Sequence, residues 1–187
     1  PKKSITMVVG FAAGGAADTG ARIIAKKLGE NIGASVVIDN RPGAGGNIAH
    51  AYTATGPADG SVILFGSVGP LTIAPHMMKL PYDPVKDLAP LTMGVNFPNV
   101  LVVGAHTGIK TFADFVAYAK KNPGKMEYGS TGSGSFFHLA TESIKVAAGI
   151  DLLHIPYPGS NEVVTGIVNN TVQLSFSSPA SIQQHVQ

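Results

Sequence analysis

The sequence contains no cysteine. A disulfide framework, a reactive thiolate and a zinc site built on sulfur are therefore excluded, and the redox compartment of the protein stays open. Clusters of basic residues are missing as well, because 13 Lys and Arg are scattered singly or in pairs against 11 Asp and Glu, for a formal net charge of +2. Nucleic-acid binding requires Lys and Arg gathered on one face, so we expect no nucleic-acid partner.

Long apolar runs are also missing, and no stretch approaches the length of a membrane-spanning helix. Strand-like sequence begins almost at the first residue, so we expect a signal peptide, if the protein is made with one, to have been removed. The chain does offer 187 residues with 44% hydrophobic content, which is enough for one large or two small packed domains. Its 23 glycines and 13 prolines are dispersed between periodic apolar segments, as is typical of turns in a folded protein.

The order strand, glycine loop, helix is found twice along the chain. In the first half, β-branched residues, helical spacing and turn residues predict a strand over 4–9, a loop over 11–18, a helix that ends near Gly33, a strand over 35–39, a helix over 47–55 and a strand over 61–65. In the second half, the same signals predict a strand over 125–128, a loop over 129–135, a helix that ends at Gly149, a strand over 151–155, a helix over 162–169 and a strand over 172–176. The two halves share element order and loop character.

Consecutive strand–helix–strand units require parallel strands joined by right-handed crossovers. We therefore predict the α/β class, with two lobes that each contain a mainly parallel sheet flanked by helices, and we place the lobes over 1–100 and 101–187. An amphipathic helix over 112–119 and a crossover between the lobes over 94–105 complete the prediction. Ligands of such sheets bind outside the carboxyl ends of the strands, where both glycine loops lie.

The two glycine loops read FAAGGAAD over 11–18 and GSTGSGS over 129–135. Small residues where a strand gives way to a helix expose backbone N–H groups at the positive end of the helix dipole, an arrangement that binds anions. For either loop alone, glycines that merely permit a tight turn are the alternative. The matching positions of the loops in the two halves favour the anion site.

The anion predicted for these loops is a carboxylate. Neither loop has a nucleotide-binding pattern, because the first lacks a lysine after its glycines and Phe137 stands where the second would need its last glycine. A neutral site lined by amides suits a carboxylate, and the hydroxyls of Ser130, Thr131, Ser133 and Ser135 add donors. A serine at a helix start is often simply an N-cap, so that role stays open for Ser135.

Several other residues have ordinary structural explanations. Asp18 lies in the first turn of its helix, where capping or interaction with the dipole is expected. The six histidines have no metal-binding spacing, and only His138, one turn into the helix after the second loop, is placed near a ligand. Arg41 either contacts an anion or braces its own loop. Phe136 and Phe137 belong either to the core or to a pocket wall.

No catalytic chemistry is apparent in the sequence. There is no G-x-S-x-G elbow, no nucleophile paired with a base and no pair of carboxylates in the loops. We therefore expect a non-enzymatic protein that uses no cofactor and no metal. A soluble α/β enzyme that uses the glycine loops as an oxyanion or phosphate site is the alternative. A purely structural module without a small ligand is disfavoured by the two loops.

Six segments in a fixed order resemble the Bug/TctC periplasmic solute-binding proteins of tripartite tricarboxylate transport systems. They are VVGFAAGGAAD, DNRPGAGGNIA, PADGSVILFGS, KLPYDPVKDLAPL, NPGKMEYGSTGSGSFFHLATE and HIPYPGSNEVV, and together they cover essentially the whole chain. The resemblance implies a two-lobed Venus-flytrap fold of the type II kind in the periplasm. It also implies a monomer that binds a mono-, di- or tricarboxylate between its lobes and delivers it to membrane permease subunits. Family chains continue past Gln187, so both lobes are expected to be incomplete at the C-terminal end.

The resemblance further implies a set of ligand-binding residues. In the family, the two glycine loops hold one ligand carboxylate through backbone amides and hydroxyls. The matching positions here are Phe11, Ala13, Gly14, Gly15 and Asp18 in the first loop, Ser130, Thr131, Gly132, Gly134 and Ser135 in the second, and Ser67 in a further ligand-facing turn, with His138 and Ser177 beside them.

The chain departs from the family pattern at several positions. Gly10 replaces a usual proline and Ala17 a frequent threonine, while Phe136 and Phe137 occupy positions that are commonly small or polar. Ser177 stands where many members have an aspartate, so a ligand ammonium would find no partner there. Together these departures favour a bulkier or aromatic carboxylate without an amino group.

Overall fold

The computed structural model describes residues 4–186, which contain two sheets. In the first sheet, the strands β1 (Ser4–Val9), β2 (Ser35–Asn40) and β3 (Val62–Phe65) are parallel, in the order β2-β1-β3. The helix α1 (Ala16–Ile32) connects β1 to β2, and α2 (Asn47–Ala54) connects β2 to β3. A π-helical turn at Gly69–Ile73 and the short helix α3 (Ala74–Met77) follow β3.

The second sheet has the order β4-β7-β5-β6 and consists of β4 (Val100–Val103), β5 (Glu127–Ser130), β6 (Leu153–Pro156) and β7 (Leu174–Ser177). Its helices are α4 (Phe112–Lys121) before β5, α5 (Phe136–Ala148) and α6 (Ser160–Val168) between the later strands, and α7 (Pro179–Ile182) after β7. β6, β5 and β7 are parallel, whereas β4 is antiparallel to β7. The arrangement β6-β5-β7 repeats β2-β1-β3, so the predicted repeat extends to the order of the strands in space.

Each sheet buries its own apolar layer against its helices. In the first half, Met7 and Val9 of β1 pack on Ala21 and Ala25 of α1. In the second half, the core is formed by Phe115, Ala119, Met126, Tyr128, Ile150, Leu152 and Leu174. A further cluster of Val163, Ile167 and Val172 lies in the second half. Clusters confined to one half are what two packed lobes require, because each sheet covers its apolar faces with its own helices.

Glycines end the two longest helices, as predicted. Gly33 after α1 has φ 64°, and Gly149 after α5 has φ 61°, both in the left-handed region that glycine favours. The N–H of Gly33 donates to the carbonyl of Gly29 and so satisfies one of the free carbonyls at the helix end. At the start of α4, Thr111 and Asp114 form a reciprocal capping box.

The strands of the second half begin two residues later than predicted. β5 starts at Glu127 and ends at Ser130, so Gly129 and Ser130 belong to the strand and not to the glycine loop. β6 and β7 start two residues late as well, at Leu153 and Leu174. The three shifts have one cause, because paired strands keep a common register and the placement of the central strand fixes both neighbours.

The connection between the sheets also differs from the prediction. The predicted crossover over 94–105 contains β4, a strand that pairs with β7. Residues 78–99 form neither helix nor strand and lead from the first sheet to the second. The exact lobe boundaries stay a prediction. Over residues 4–186, no helix has both the length and the apolar character needed to cross a membrane.

Candidate functional site

A cavity of about 490 Å³ lies between the two sheets. Its walls include residues that follow the carboxyl ends of four strands, namely Phe11 after β1, Ser67 after β3, Thr131 after β5 and Ser178 after β7. Ligands of parallel α/β sheets bind at this edge, and the volume suits a small organic molecule. Both glycine loops therefore border one common space.

Three helices begin at this cavity. The first two residues of α1, Ala16 and Ala17, line it, as do the first two of α5, Phe136 and Phe137, and the first of α6, Ser160. The N–H groups of a first helical turn have no partner within the helix and lie at the positive end of its dipole. The N-cap residues of α1 and α6 are glycines without a side-chain cap. An anion at these helix starts would take the place of a cap.

The walls of the cavity are uncharged and include several aromatic rings. None of the described residues that line it is Asp, Glu, Lys, Arg or His. Five of the eight phenylalanines of the sequence are on its walls, namely Phe11, Phe65, Phe97, Phe136 and Phe137. In the part of the chain that the structure describes, no group of three His, Asp or Glu side chains could hold a metal ion. The site thus offers amide and hydroxyl donors beside an apolar surface.

Asp18 braces the first loop from behind the cavity wall. Its carboxylate accepts hydrogen bonds from the Gly14 N–H at 2.8 Å, from Arg22 Nε at 2.8 Å and from Asn40 Nδ2 at 2.9 Å. Asn40 Nδ2 also donates to the carbonyl of Phe11 at 3.1 Å. Burial acts to raise the pKa of Asp18, but the bonds from Arg22, Gly14 and Asn40 outweigh it and hold the pKa below its ordinary value. The ionised carboxylate therefore fixes the loop in place.

Ser130 holds the second loop from within the sheet. Its Oγ accepts the Gly132 N–H at 3.1 Å and lies 2.6 Å from His154 Nε2. Hydrogen-bonded serine and histidine are the nucleophile and base of many hydrolases. Here, however, Ser130 is 0% exposed and does not line the cavity, so no ligand reaches its Oγ. The pair is structural.

His138 and His154 stack on each other beside the second loop, with ring centroids 4.1 Å apart and planes inclined by 16°. His138 Nδ1 accepts the Gly134 N–H at 3.2 Å, so the neutral ring carries its proton on Nε2. Burial lowers the pKa of His138 below its ordinary value. Burial, together with the charge of His138, lowers the pKa of His154 to about 4. Both rings are therefore neutral at pH 7 and support the loop backbone by stacking and hydrogen bonding.

Ser67 is positioned by His50. Its N–H donates to His50 Nε2 at 3.2 Å, while His50 Nδ1 donates to the carbonyl of Gly46 at 2.9 Å. Burial lowers the pKa of His50 to about 4, so the ring is neutral and uses both nitrogens. Ser67 lines the cavity, yet its buried Oγ has no hydrogen-bond partner among the described residues. Because buried hydroxyls normally have a partner, this one is a candidate donor to a ligand.

The two halves contact each other through glycines beside the cavity. A Cβ atom added to Gly69 would lie 2.8 Å from the carbonyl oxygen of Gly134. A Cβ atom added to Gly159, before α6, would lie 3.0 Å from the Cβ of Ala12 in the first loop. These contacts bring the loops of one half onto the loops of the other.

The structure divides the predicted ligand-binding residues into two groups. Phe11, Ser67, Thr131 and Ser135 line the cavity, and Ser135 also caps α5 by accepting the His138 N–H at 3.3 Å. The remaining residues lie behind or beside the wall, namely Ala13, Gly14, Gly15, Asp18, Ser130, Gly132, Gly134, His138 and Ser177. For both groups, contact with a ligand stays a prediction.

The sequence interpretation missed two parts of the cavity wall. Ser160 starts the helix after β6 and Ser178 follows β7, so the rule that located the glycine loops applies to both and could have found them. Met93, Asn96 and Phe97 belong to the irregular segment over 78–99. That segment has no periodicity from which its position could be predicted.

Two α/β lobes with a small-molecule cavity between them have the architecture of the periplasmic solute-binding proteins. The sequence model of the TctC family, described as the tripartite tricarboxylate transporter family receptor, matches residues 20–187. The chain therefore belongs to this family, as its resemblance to Bug/TctC proteins implied. Because the family is one of receptors, the prediction of a binding protein and not an enzyme is confirmed.

A curated relative has a similar sequence. The "UPF0065 protein in tcbD-tcbE intergenic region" of Pseudomonas sp. strain P51 is 38% identical over 186 residues, which are 100% of this chain and 55% of that protein. The chain thus spans little more than half the length of such a relative.

Solved structures of similar proteins share the fold. An R. palustris protein with adipate is 34% identical, with a TM-score of 0.89 over 98% of this chain and 62% of that one. The periplasmic binding protein BugD is 29% identical, with a TM-score of 0.87 over 100% of this chain and 62% of that one. MatC from Rhodopseudomonas palustris with bound malate is 26% identical, with a TM-score of 0.92 over 97% of this chain and 62% of that one. These similarities confirm the two-lobed fold of periplasmic binding proteins.

Proposed function

We propose that this protein captures a small organic carboxylate in the cavity between its sheets and delivers it, in the periplasm, to the membrane permease subunits of a tripartite transporter. Membership of the TctC family supports the proposal, as do the adipate and malate in similar proteins. The observation that carries it is the convergence of three helix starts on one uncharged cavity. One chain supplies both loops that border the cavity, so a single copy is sufficient for capture, and we propose a monomer.

The carboxylate accepts hydrogen bonds from backbone N–H groups of both halves. Ala16 and Ala17 supply donors from α1, and Phe136 and Phe137 supply donors from α5. A hydrogen bond to a charged group contributes about 1.5–3 kcal/mol. In a cavity with apolar walls the electrostatic attraction of these donors is stronger than in water. A cation in the site is therefore not required to hold one negative charge.

Capture is coupled to closure of the lobes. Because the donors come from both halves, only the closed arrangement offers all of them to the ligand, and these additional hydrogen bonds make the ligand favour closure. No bond of the ligand is made or broken, so opening of the lobes releases it unchanged.

The proposal is tested by removing one amide donor while leaving its helix intact. Ala16 is the first residue of α1, a position where proline is favoured because its missing N–H has no helical partner. The preceding Gly15 has φ −75° and ψ 172°, a conformation that a following proline accepts. We expect Ala16→Pro to weaken carboxylate binding about tenfold or more, the equivalent of one charge-assisted hydrogen bond. Thermal unfolding should stay unchanged.

The ligand used for this test is identified by mass spectrometry of what co-purifies with the protein and is then titrated by calorimetry. Ala16→Ser keeps the backbone N–H while changing the side chain, and it serves as the control. Equal affinities for Ala16→Pro and wild type would contradict the proposal. So would the failure of every mono-, di- and tricarboxylate to bind the wild-type protein.

A further inference from the structure

We propose that His138 is a positioning residue of the site: its neutral imidazole holds the second glycine loop in the shape that binds the ligand, so protonation of the imidazole releases the loop and weakens binding. The inference rests on the proposed function and adds to it a dependence of ligand affinity on pH. It follows from a pair of matching hydrogen bonds in the two halves.

The two glycine loops are held by the same kind of hydrogen bond. In the first half the N–H of Gly14 donates to the carboxylate of Asp18 at 2.8 Å, and in the second half the N–H of Gly134 donates to Nδ1 of His138 at 3.2 Å. Both glycines have a positive φ, 82° and 77°, and both acceptors are the third residue of the helix that follows. His138 is therefore the counterpart of Asp18 in the second half.

The two acceptors respond differently to protons. Asp18, with a pKa below its ordinary value, keeps its charge and accepts at any pH above about 5. An imidazole accepts only through an unprotonated nitrogen, and both nitrogens of its cation are donors. Protonation of His138 would place an Nδ1–H opposite the Gly134 N–H, and two donors cannot bond to each other. The first loop therefore stays held at a pH that releases the second.

Gly134 connects His138 to the contact between the two halves. A Cβ atom added to Gly69 of the first half would lie 2.8 Å from the carbonyl oxygen of Gly134 and 3.1 Å from Cα of Ser135. Ser135 and the residue after it, Phe136, line the cavity. A displacement of Gly134 would therefore change both the approach of the halves and the surroundings of the ligand.

The proton that matters for the loop is the one on His138. Its ring stacks on His154 of β6 with centroids 4.1 Å apart, and the Tyr128 ring of β5 lies 6.4 Å from His138 and 4.9 Å from His154. Two stacked imidazolium ions would repel each other, so a proton on one ring opposes a proton on the other. Burial and the charge of His138 lower the pKa of His154 to about 4. A proton taken up above about pH 5 therefore belongs to His138.

Two charged residues of α5 act on His138 in opposite directions. Burial is the largest influence and lowers the pKa of His138, while Glu142 acts to raise it and Lys145 to lower it. β7 and the π-helical turn at Gly69–Ile73 also pack against α5, and neither contains a titratable side chain. When the loop is released, the His138 ring titrates near its ordinary value of about 6.5. The binding-competent loop holds fewer protons, so affinity falls as the pH falls below about 6.5.

The test compares His138→Asn and His138→Ala with wild type. The Oδ1 atom of asparagine is bonded to Cγ, as Nδ1 of histidine is, so it can accept the Gly134 N–H, and it does not titrate. Hexanoate, adipate, malate and citrate are screened by calorimetry at pH 7.5, and the tightest binder is titrated at pH 7.5, 6.5 and 5.5. Relative to His138→Asn, the wild-type affinity should fall over this range at least threefold and by about tenfold at most. Protonation of the acid itself affects both proteins equally and cancels in the ratio.

His138→Ala has no acceptor for the Gly134 N–H and should bind at least fivefold more weakly than His138→Asn at pH 7.5. The matched control is His76→Asn, at an exposed position, which should keep the wild-type profile. An affinity ratio of wild type to His138→Asn that does not change with pH would overturn the inference and leave the proposed function standing. Equal affinities of His138→Asn and His138→Ala would overturn it as well.

Failure of all four acids to bind at pH 7.5 would instead contradict the proposed function. The coupling is then tested on the ligand-free protein by hydrogen exchange of the Gly134 N–H, followed by NMR and corrected for the intrinsic effect of pH on exchange. Protection of this N–H should decrease from pH 7.5 to 5.5 in wild type and stay constant in His138→Asn. Constant protection in wild type would overturn the role of His138.

Discussion

Gly132 and Gly45 touch backbone to backbone where the two halves meet. A Cβ atom added to Gly132 would lie 2.6 Å from the backbone nitrogen of Gly45, and one added to Gly45 would lie 2.5 Å from the carbonyl oxygen of Ser133. Real Cβ atoms do not approach other heavy atoms so closely, so neither side of this contact has room for a methyl group. The two glycines therefore set how closely the second glycine loop approaches the first half.

We expect Gly132→Ala to weaken ligand binding at least tenfold, because the added methyl group would hold the lobes apart. Its φ of 111° also strains any side chain, at a cost of about 1–3 kcal/mol. Gly149→Ala separates the two effects, since Gly149 also has positive φ, 61°, but its Cβ would meet nothing within 4 Å. Calorimetry and thermal unfolding should show lower stability in both variants and lower affinity only in Gly132→Ala. Equal affinity losses in the two variants would contradict this explanation.

The buried histidines predict that stability decreases as the pH falls from about 6.5 to about 4. Burial lowers the pKa of His154 and of His50 to about 4, whereas an unfolded histidine titrates near 6.5. Between these values the unfolded chain binds more protons, so the stability that is complete above about pH 6.5 is lost as the pH falls through the folded pKa. The midpoint of thermal unfolding, measured by calorimetry between pH 7.5 and 4.5, should fall accordingly.

His154→Gln removes one titrating ring and should make this pH dependence shallower. Two charged groups act on the stacked rings of His138 and His154, namely Glu142 and Lys145. Glu142 accepts a hydrogen bond from the Tyr128 hydroxyl at 2.6 Å and pairs with Lys145 at 2.9 Å. His76→Gln, at an exposed position, is the control and should leave the profile unchanged. A profile as steep in His154→Gln as in wild type would show that another group is responsible.

Asp18→Ala is expected to destabilise the protein and to disorder the first glycine loop. The variant leaves the donors of Gly14, Arg22 and Asn40 without their shared acceptor, and such losses cost about 1–3 kcal/mol for a buried group. Chemical denaturation measures the loss. Glu30→Ala is the control, since the one ion pair of Glu30 within residues 4–186 is an exposed pair with Lys27, and its loss should change stability by less than about 0.5 kcal/mol. Similar effects of the two substitutions would argue against the bracing role of Asp18.

Gly20→Ala is expected to narrow the cavity without weakening the fold. Alanine at a helical glycine position adds about 0.5–1 kcal/mol of stability. The new methyl group would lie 3.2 Å from Phe97 Cζ and would push that ring aside. Affinity for the co-purifying ligand should fall severalfold, while the thermal midpoint stays level or rises. Thr19→Ala, at an exposed neighbouring position, is the control. A lower midpoint with unchanged affinity would contradict the prediction.

Much of the fold was predictable because its signals are local. The turns at Gly33 and Gly149 and the repeated strand–loop–helix order follow from residue types and spacing over short windows. The register of β5 was not predictable in this way, since the pairing of Gly129 with Ile155 and Ser175 fixes it across the sheet. The antiparallel pairing of β4 with β7 likewise depends on a strand that is distant along the chain.

Residues of the candidate site could be predicted from the sequence only where a residue with a hydroxyl group follows the end of a predicted strand. Ser67, Thr131 and Ser135 follow such ends and line the cavity. Asp18 and Ser130 are polar as well, but their side chains accept hydrogen bonds from the N–H groups of Gly14 and Gly132 and do not line the cavity. The sequence does not show these partners. Phe97 gave no signal at all, because an aromatic residue in an irregular segment has no periodicity that indicates which surface it will cover.

The segment over 78–99 contributes to the cavity wall without belonging to either hydrogen-bonded ladder. The segment is held to the first half at Tyr82, whose hydroxyl donates to Asn47 Oδ1 at 2.8 Å, while Met93, Asn96 and Phe97 of the same segment line the cavity outside any strand pairing. The glycine loops of the cavity wall are fixed to the ends of paired strands, whereas the wall residues of the segment over 78–99 are not part of any strand. Replacement of Met93, Asn96 or Phe97 therefore changes the surface that a ligand meets while every strand pairing stays in place.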